Sequence, residues 1–413
     1  MPAMSTPNSF DADVLIVGAG PAGLALGAAL ADQGLHCTLL EQQPASALAD
    51  PAEDGREIAL THRARRVMQA LGLWERLPAD EIAPLQAAHV LDGSSPLVLH
   101  FGAGAAAAAD APLGWLVANH LIRRAAWQAA AARPALQVLC EARVQAIERN
   151  ADAAAVHLAD GRVLRGRLLV AADSRFSATR RLAGIGAAMH DFGRSVVVGR
   201  VRHERPHGGV AWECFRYGNT LALLPMAGGR RASAVVTVGG ERADEWLALS
   251  DADFAARIQA QSDGRLGAVQ AEGPRHHYPL VGVYAQRFAA PRFALIGDAA
   301  VGMHPVTAHG FNFGLHGVDL LSREILAATR VGTDIAAPER LHRFETAHRR
   351  ATRPLYLATQ AIATLYTDDR GPARLVRRLV LDASSRIGPL RLAIATALSE
   401  DGLSLRGLLP RLG

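Results

Sequence analysis

Residues 14–41 read VLIVGAGPAGLALGAALADQGLHCTLLE, and this stretch decides the fold. Val14-Leu15-Ile16-Val17 is a run of branched apolar residues, the signature of a buried strand. Gly18 to Gly23 supplies a tight turn, Leu24 to Gln33 reads as a helix that Gly34 ends, and Cys37-Thr38-Leu39-Leu40 returns as a second strand closing on Glu41. Together they form a βαβ unit, for which a right-handed crossover is expected. The spacing Gly18-x-Gly20-x-x-Gly23 falls between strand and helix, where three glycines allow a sharp turn, close backbone approach to a pyrophosphate and close helix–strand packing. The helix N-terminus turns its partial positive charge toward the phosphates, and Glu41 stands where an acid accepts hydrogen bonds from ribose hydroxyls. Dinucleotide binding is the expectation.

A second segment, Gly297 to Gly314, reads GDAAVGMHPVTAHGFNFG and follows the apolar run Phe293 to Ile296. A strand that ends in Gly-Asp and opens through a Pro/Gly-rich turn into a helix aims one carboxylate and several backbone amides at a ligand. Phosphate would be repelled by Asp298, so that carboxylate suits hydroxyls. A polyhydroxylated tail near the turn, with an electron-poor ring over the helix N-terminus, satisfies both demands, and FAD has that shape.

The chain has 413 residues, half of them hydrophobic and 20% charged, as in an ordinary globular protein of two or three domains. All 44 basic residues are Arg. The absence of Lys excludes Schiff-base chemistry and a Gly-Lys-Ser/Thr phosphate loop. Cys37, Cys140 and Cys214 are widely spaced, look like small buried hydrophobes, and fit a reducing cytoplasm. The first 13 residues carry no Arg and do not read as a signal peptide. Val14 to Ala31 is an uncharged run of 18 residues, but four glycines and Pro21 interrupt it, so strand, turn and helix explain it better than a membrane span. The 16 histidines show no ligand-type spacing, so no metal site is expected; nor is a nucleic-acid partner.

Further along, Thr61 to Leu77 reads as an amphipathic helix with Val67, Leu71 and Trp74 on one stripe. Ala87 to Leu99 alternates as a strand, Gly102 to Pro112 is an Ala-rich connector, and Asn119 to Ala132 is helical. Val138 to Ile147, Val156 to Leu158 and Leu164 to Ala171 read as strands. Ser195 to Val238 reads as an antiparallel meander turning at paired glycines, followed by a helix over Ser250 to Gln261 and a helical region from Arg340 to Ser399. The expected architecture is α/β, with a Rossmann-like FAD-binding domain over residues 11–80, 113–185 and 285–345. An inserted antiparallel-sheet substrate domain takes 81–112 and 186–284, and a C-terminal helical region takes 346–413. Asp173 closes a strand before the turn SRFSATRR and, read alone, caps the next helix.

The set Gly18-Ala19-Gly20-Pro21-Ala22-Gly23, Asp54-Gly55-Arg56, Asp173 with Arg180, and Gly297-Asp298-Ala299-Ala300 with Pro305, Gly310 and Asn312 resembles the class A flavoprotein aromatic hydroxylases. These are the para-hydroxybenzoate-hydroxylase-like enzymes. Within them the chain is most similar to the ubiquinone-biosynthesis hydroxylases from Val14 through about Ser399, and MHPVTAHGFNFG looks like the UbiM-type subgroup. The resemblance implies that the first glycine turn cradles the FAD pyrophosphate, and that Glu41, with Gln42 beside it, holds the ribose. It implies that Arg56 lies near flavin or pyrophosphate, the Val144 backbone near the adenine, and Arg123 against the pyrophosphate. Asp173 and Gly297 border the cofactor, Asp298 bonds the ribityl chain, and Pro305 with the backbone of Gly310, Phe311 and Asn312 borders the isoalloxazine. The chain departs from the family pattern in having Ser174 after Asp173, Val301 where His is usual, and His309 where Gln is usual.

The implied reaction is ring hydroxylation with NAD(P)H and O₂ by way of a flavin hydroperoxide, on a polyprenylated phenol or quinol. Such a cycle needs no acid–base triad, since the cofactor carries the chemistry and the protein orients reactants and excludes water. A base near the ring hydroxyl would help, and His309, then His304, are the candidates by residue type; either could instead brace the loop. The rivals are a hydroxylase of a small soluble aromatic acid, a geranylgeranyl-reductase-like flavin reductase, and a flavin-binding scaffold. Gly371 to Gly413 carries seven Arg against three acids among Leu, Val and Ile. That pattern suggests peripheral contact with the inner face of the membrane or with a biosynthetic complex, or else a helix packed on the domain.

Overall fold

The computed structural model describes residues 10–92, 98–102, 112–216, 218–304 and 309–367. Its first sheet runs in the order Ala289–Ala290, Phe293–Leu295, Val163–Ala171, Ala12–Val17, Cys37–Leu40, Leu136–Leu139. From Phe293–Leu295 to Leu136–Leu139 every neighbouring pair is parallel. Val14, Leu15, Ile16, Leu39, Leu168 and Leu169 are fully buried, because helices cover a parallel sheet on both faces. The helix Pro21–Ala31 follows the glycine turn, with Pro at its first position, where the missing N–H costs nothing.

The second sheet holds eight strands in the order Val301–Gly302, Val269–Ala285, Ala187–His203, Arg231–Gly239, Asn219–Pro225, Val210–Arg216, Ala87–Asp92, Val98–Gly102. Two 17-residue strands, Ala187–His203 and Val269–Ala285, lead from the cofactor side into this sheet. One face carries Val197, Val201, Cys214 and Leu221 and packs under Trp246, Phe254 and Ile258. A Cβ on Gly199 would stand 2.9 Å from the Phe254 ring, so that position has room only for hydrogen. The other face carries Val196, Val198 and Tyr278. It turns to residues 53–57, where a Cβ on Gly55 would meet the His276 ring at 2.9 Å and Val198 at 3.3 Å.

Several elements differ from the sequence reading. The helix expected over 61–77 stops at Ala70, because Gly72 adopts a positive φ of 67° and a separate turn forms at Trp74–Arg76. Its buried positions are Ala64 and Met68, while Val67 is half-buried. The strand expected over Val138–Ile147 is two strands, Leu136–Leu139 and Val144–Arg149, broken where Glu141 has φ 55°. Ala87 to Leu99 spans two antiparallel strands rather than one. The meander is not sequential: Ala187–His203 pairs with Arg231–Gly239, and Val210–Arg216 pairs parallel with Ala87–Asp92. Cys140 is half-buried rather than buried. The helix expected from Arg340 begins at Pro338 and is described to Thr367. The basic stretch from Gly371 lies outside the described residues, as do 103–111 and Pro305. No helix among the described residues is long and apolar enough to cross a membrane.

Candidate flavin site

The glycine turn is shaped by three different constraints. Gly18 has φ 103°, and a Cβ there would lie 2.6 Å from the Ala172 carbonyl oxygen and 2.7 Å from Asp173 Cα. A Cβ on Gly23 would overlap the Gly18 carbonyl oxygen, so helix and turn touch backbone to backbone. A Cβ on Gly20 would meet no atom within 4 Å. Two glycines therefore serve packing, and the middle one borders open space.

Around this turn, Glu41 accepts hydrogen bonds from the Ala19 amide (Oε2, 2.9 Å) and the Gln43 amide (Oε1, 2.9 Å). Its carboxylate thus holds the turn and keeps lone pairs unused. Gln42 is exposed beside it. The Ala142 amide donates to the Glu41 carbonyl at 2.8 Å, which draws the start of the Val144–Arg149 strand alongside. Arg123, half-buried in the helix Asn119–Ala131, makes no hydrogen bond or ion pair among the described residues. A half-buried guanidinium without an acceptor suits a phosphate.

The far end of the site comes in through Gly297. At φ 59° a Cβ there would stand 3.3 Å from Ala22 Cβ, while one on Gly314 would stand 3.6 Å from Gly297 Cα. Two motifs some 275 positions apart in the chain thus pack against each other. Asp298 accepts from Arg175 Nη2 (2.9 Å) and Nε (3.3 Å) on one oxygen, and the other oxygen takes no part in that pair. Gly310 opens the 21-residue helix Gly310–Arg330, and a Cβ there would meet nothing within 4 Å. Phe311 is half-buried against the core, and the Asn312 amide group donates to the Ala59 carbonyl (2.9 Å) and accepts from Thr61 N (3.1 Å) and Oγ1 (3.0 Å). Asn312 therefore fixes the helix start to the Glu57–Leu60 strand.

The cap of the helix Ala178–Leu182 is Ser177, whose Oγ accepts from the Arg180 amide (2.8 Å), and Asp173 backs it: its carboxylate accepts from Ser177 Oγ (2.5 Å) and the Thr179 amide (3.2 Å). Its Cα, not its side chain, crowds Gly18. Arg180 is 2% exposed and donates to the Ala299 carbonyl at 2.8 Å and to the Arg175 carbonyl at 3.2 Å. It ties the Asp173 turn to the Gly297 turn, and burial pushes its pKa down from the usual Arg value. The sequence named Arg180 only as part of a motif and missed Arg175, whose one signal was its place in the SRFSATRR turn.

Arg56 is paired with Asp54 (Nη2–Oδ2, 2.5 Å) and stacks over Tyr278 at 5.2 Å, so it stands at the seam with the second sheet. Burial works to raise the Asp54 pKa, but hydrogen bonds and charge from Arg56, with Asn119, outweigh it and hold the carboxyl below its usual range. Tyr278 donates to the Asp54 carbonyl at 2.7 Å, so the segment His276 to Tyr278 packs against the cofactor side. His304 is buried beside Phe192 (ring centroids 4.8 Å), and burial pushes its pKa down to about 4. A histidine kept neutral to that extent accepts a proton poorly. His309 is 6% exposed and stands at the N-cap position of the helix from Gly310, its ring 5.9 Å from Phe313. Among the described residues no cluster of His, Cys, Asp and Glu is arranged to hold a metal ion.

Comparison with known proteins agrees with this geometry. The family model described as "FAD binding domain" matches residues 11–355. The chain is 44% identical over 393 residues to ubiquinone hydroxylase UbiM of Neisseria meningitidis, covering 95% of this chain and 85% of that one. It is 38% identical over 380 residues to ubiquinone hydroxylase UbiL of Rhodospirillum rubrum, covering 92% and 87%. Among solved structures, Pseudomonas aeruginosa PqsL in complex with 2-aminobenzoylacetate superposes with a TM-score of 0.75 at 23% identity, covering 86% of this chain and 97% of that one, which speaks to fold alone. The open Gly20 and Gly310 positions, the acceptor-free Arg123 and the half-used carboxylates of Glu41 and Asp298 all suit FAD. The chain belongs to the FAD binding domain family, as a class A flavin hydroxylase.

Proposed function

We propose that the protein hydroxylates the aromatic ring of a ubiquinone precursor, a polyprenylated phenol or quinol, using FAD, NAD(P)H and O₂. The observation that carries this reading is the close approach of Gly297 to Ala22, which joins the first glycine turn to the open space at Gly310. The names of its 44% and 38% identical relatives supply the substrate class. On this reading residues 11–80, 113–185 and 285–345 hold the cofactor, and 81–112 with 186–284 hold the substrate.

When bound, FAD would supply electron transfer from NAD(P)H and the activation of O₂. The chain's own part is placement. Gly18, Gly20 and Gly23 bring the backbone to the pyrophosphate, with Arg123 as counter-charge. Glu41 takes the ribose, and the free oxygen of Asp298 takes a ribityl hydroxyl. Amides at the start of the Gly310–Arg330 helix face the ring system with their partial positive charge, which favours electron density there. The apolar inner face of the second sheet closes the reaction space against water. A small aromatic acid suits that face poorly, because Glu213 stands on it and its arginines Arg200 and Arg231 are paired with Glu53 at 2.7 Å and Glu272 at 3.1 Å.

The basic C-terminal stretch gives this reading a cytoplasmic protein held at the inner face of the membrane, where a polyprenylated substrate resides. Two measurements test the proposal. Quinone intermediates in a deletion strain, read by mass spectrometry, should accumulate one hydroxylation short of product, and an unchanged profile would remove the pathway assignment. Purified holoprotein should consume NAD(P)H and O₂ in a substrate-dependent way; NAD(P)H oxidation without oxygen insertion would make it a reductase.

A further inference from the structure

Glu213 lies on the Val210–Arg216 strand of the second sheet. Strand register gives its face: Glu213 stands opposite Ala222, Ala222 opposite Val235, Val235 opposite Val198, and Val198 opposite His276. Residues paired across strands share a face. Val198 and His276 are the residues that meet Gly55 of the cofactor side. Cys214 and Trp212, one step either way along the strand, belong to the opposite face and pack under the helices. The Glu213 carboxylate therefore projects into the space between the sheet and the flavin site, three strand spacings of ~4.8 Å from the Gly55 seam.

Its surroundings are apolar. Val90 and Ala222 flank it across the strands, and Ala211 and Phe215 along its own. Nothing among the described residues donates a hydrogen bond to it. It is half-buried, and burial alone pushes its pKa up to about 7. Register places other ionisable residues on the same face: Asp92 one row along on the neighbouring strand, Arg231 two strands across, Arg194, Arg200 and Arg202 three, and His276 and Tyr278 four. A half-buried carboxylate with no protein donor has lost part of its water, which costs free energy. A ligand that donates one hydrogen bond into an otherwise greasy space recovers that cost.

We propose that Glu213 is the acceptor for the substrate's ring hydroxyl and the base that takes its proton during hydroxylation. The inference rests on the function proposed above and deepens it. As the cofactor delivers oxygen, the phenolic O–H bond breaks and its electron pair forms the ring C=O. A ring carbon's pair forms the new C–O bond, and the proton rests on Glu213. The hydroxylated carbon then releases its own proton to water, the C–H electron pair restores the aromatic ring, and Glu213 returns its proton to the ring oxygen. The apolar walls admit a prenylated ring, and the carboxylate selects rings that carry a hydroxyl.

The test uses FAD-loaded enzyme with 2-geranylphenol and its O-methyl ether as probes, binding being read from the flavin absorbance change. Glu213→Leu should weaken the phenol about tenfold, the loss expected for one hydrogen bond into a half-buried acceptor, and leave the ether unchanged. Glu213→Gln keeps the shape, so it should bind the phenol to an intermediate degree. It should also lose the rise of hydroxylation kcat/KM through about pH 7 that the wild type shows. FAD content and melting temperature report folding of both variants. If Glu213→Leu binds phenol and ether as the wild type does, or Glu213→Gln keeps the pH rise, Glu213 is neither acceptor nor base. A wild type that neither binds nor hydroxylates the phenol removes the functional reading, and this inference with it.

Discussion

Single side chains in the flavin site are shared between structure and ligand, which is why substitutions there separate loading from folding. Asp298 gives one oxygen to Arg175 and keeps the other. Asp298→Ala should leave the fold intact and lower the flavin-to-protein absorbance ratio about tenfold, as expected when a charge-assisted hydrogen bond is lost; yellow protein with normal flavin content would move the ribityl chain elsewhere. His309 stands buried at the cap of the helix from Gly310. His309→Gln, the residue usual in the resembled family, should change the hydroxylation rate or product ratio about fivefold, the scale of one altered hydrogen bond. An unchanged product profile makes His309 a structural residue.

At the scale of elements, the site is a junction of turns rather than a pocket in one of them. The Gly18–Gly23 turn, the Asp173–Thr179 turn and the Gly297–Ala299 turn meet through backbone contacts, and Arg180 laces the last two together. Arg180→Met keeps much of the volume but leaves the Ala299 and Arg175 carbonyls without their donor. It should cost about 1–3 kcal/mol, the range for an unsatisfied buried acceptor, seen as a lower urea midpoint. Flavin affinity should fall with it, because the turn carrying Asp298 loosens. A variant with unchanged midpoint and flavin content would show the lacing to be dispensable. Legibility tracks locality here. The βαβ unit and its glycines could be read directly, because strand, turn and helix are contiguous. The pairing of Val210–Arg216 with Ala87–Asp92 could not, because partners 123 positions apart leave no local pattern.

For the whole molecule, pH dependence follows from buried imidazoles. Burial pushes His348 down to about 3 and His304 and His316 down to about 4. These histidines stay neutral in the folded state while the unfolded chain protonates them near pH 6.5. A depressed folded pKa means that stability is present above the unfolded value and is lost as pH falls from about 6.5 toward 4. Glu57 and Glu213, raised by burial to about 8 and about 7, work the other way, so urea midpoints should decline only below about pH 6.5, where the three histidines outweigh the two carboxyls. His348 is 1% exposed with its ring against Gly317, and His348→Leu should flatten part of that decline. A midpoint that holds constant down to pH 5 would show that these rings protonate without unfolding the protein.

What the sequence determined by itself was the cofactor half: two strand-to-turn motifs whose glycines, Glu41 and Asp298 state their chemistry within a few residues of backbone. It could not say that Glu41 spends part of its carboxylate on Ala19, that Asp298 meets Arg175, or that Asp173 serves its own helix. Those are contacts across 22, 123 and 6 positions, and hydrogen-bond partners at such separations are chosen by how elements pack. The substrate half was decided by tertiary structure alone. Whether Glu213 faces helices or flavin depends on strand register, and a one-residue slip would exchange the two faces.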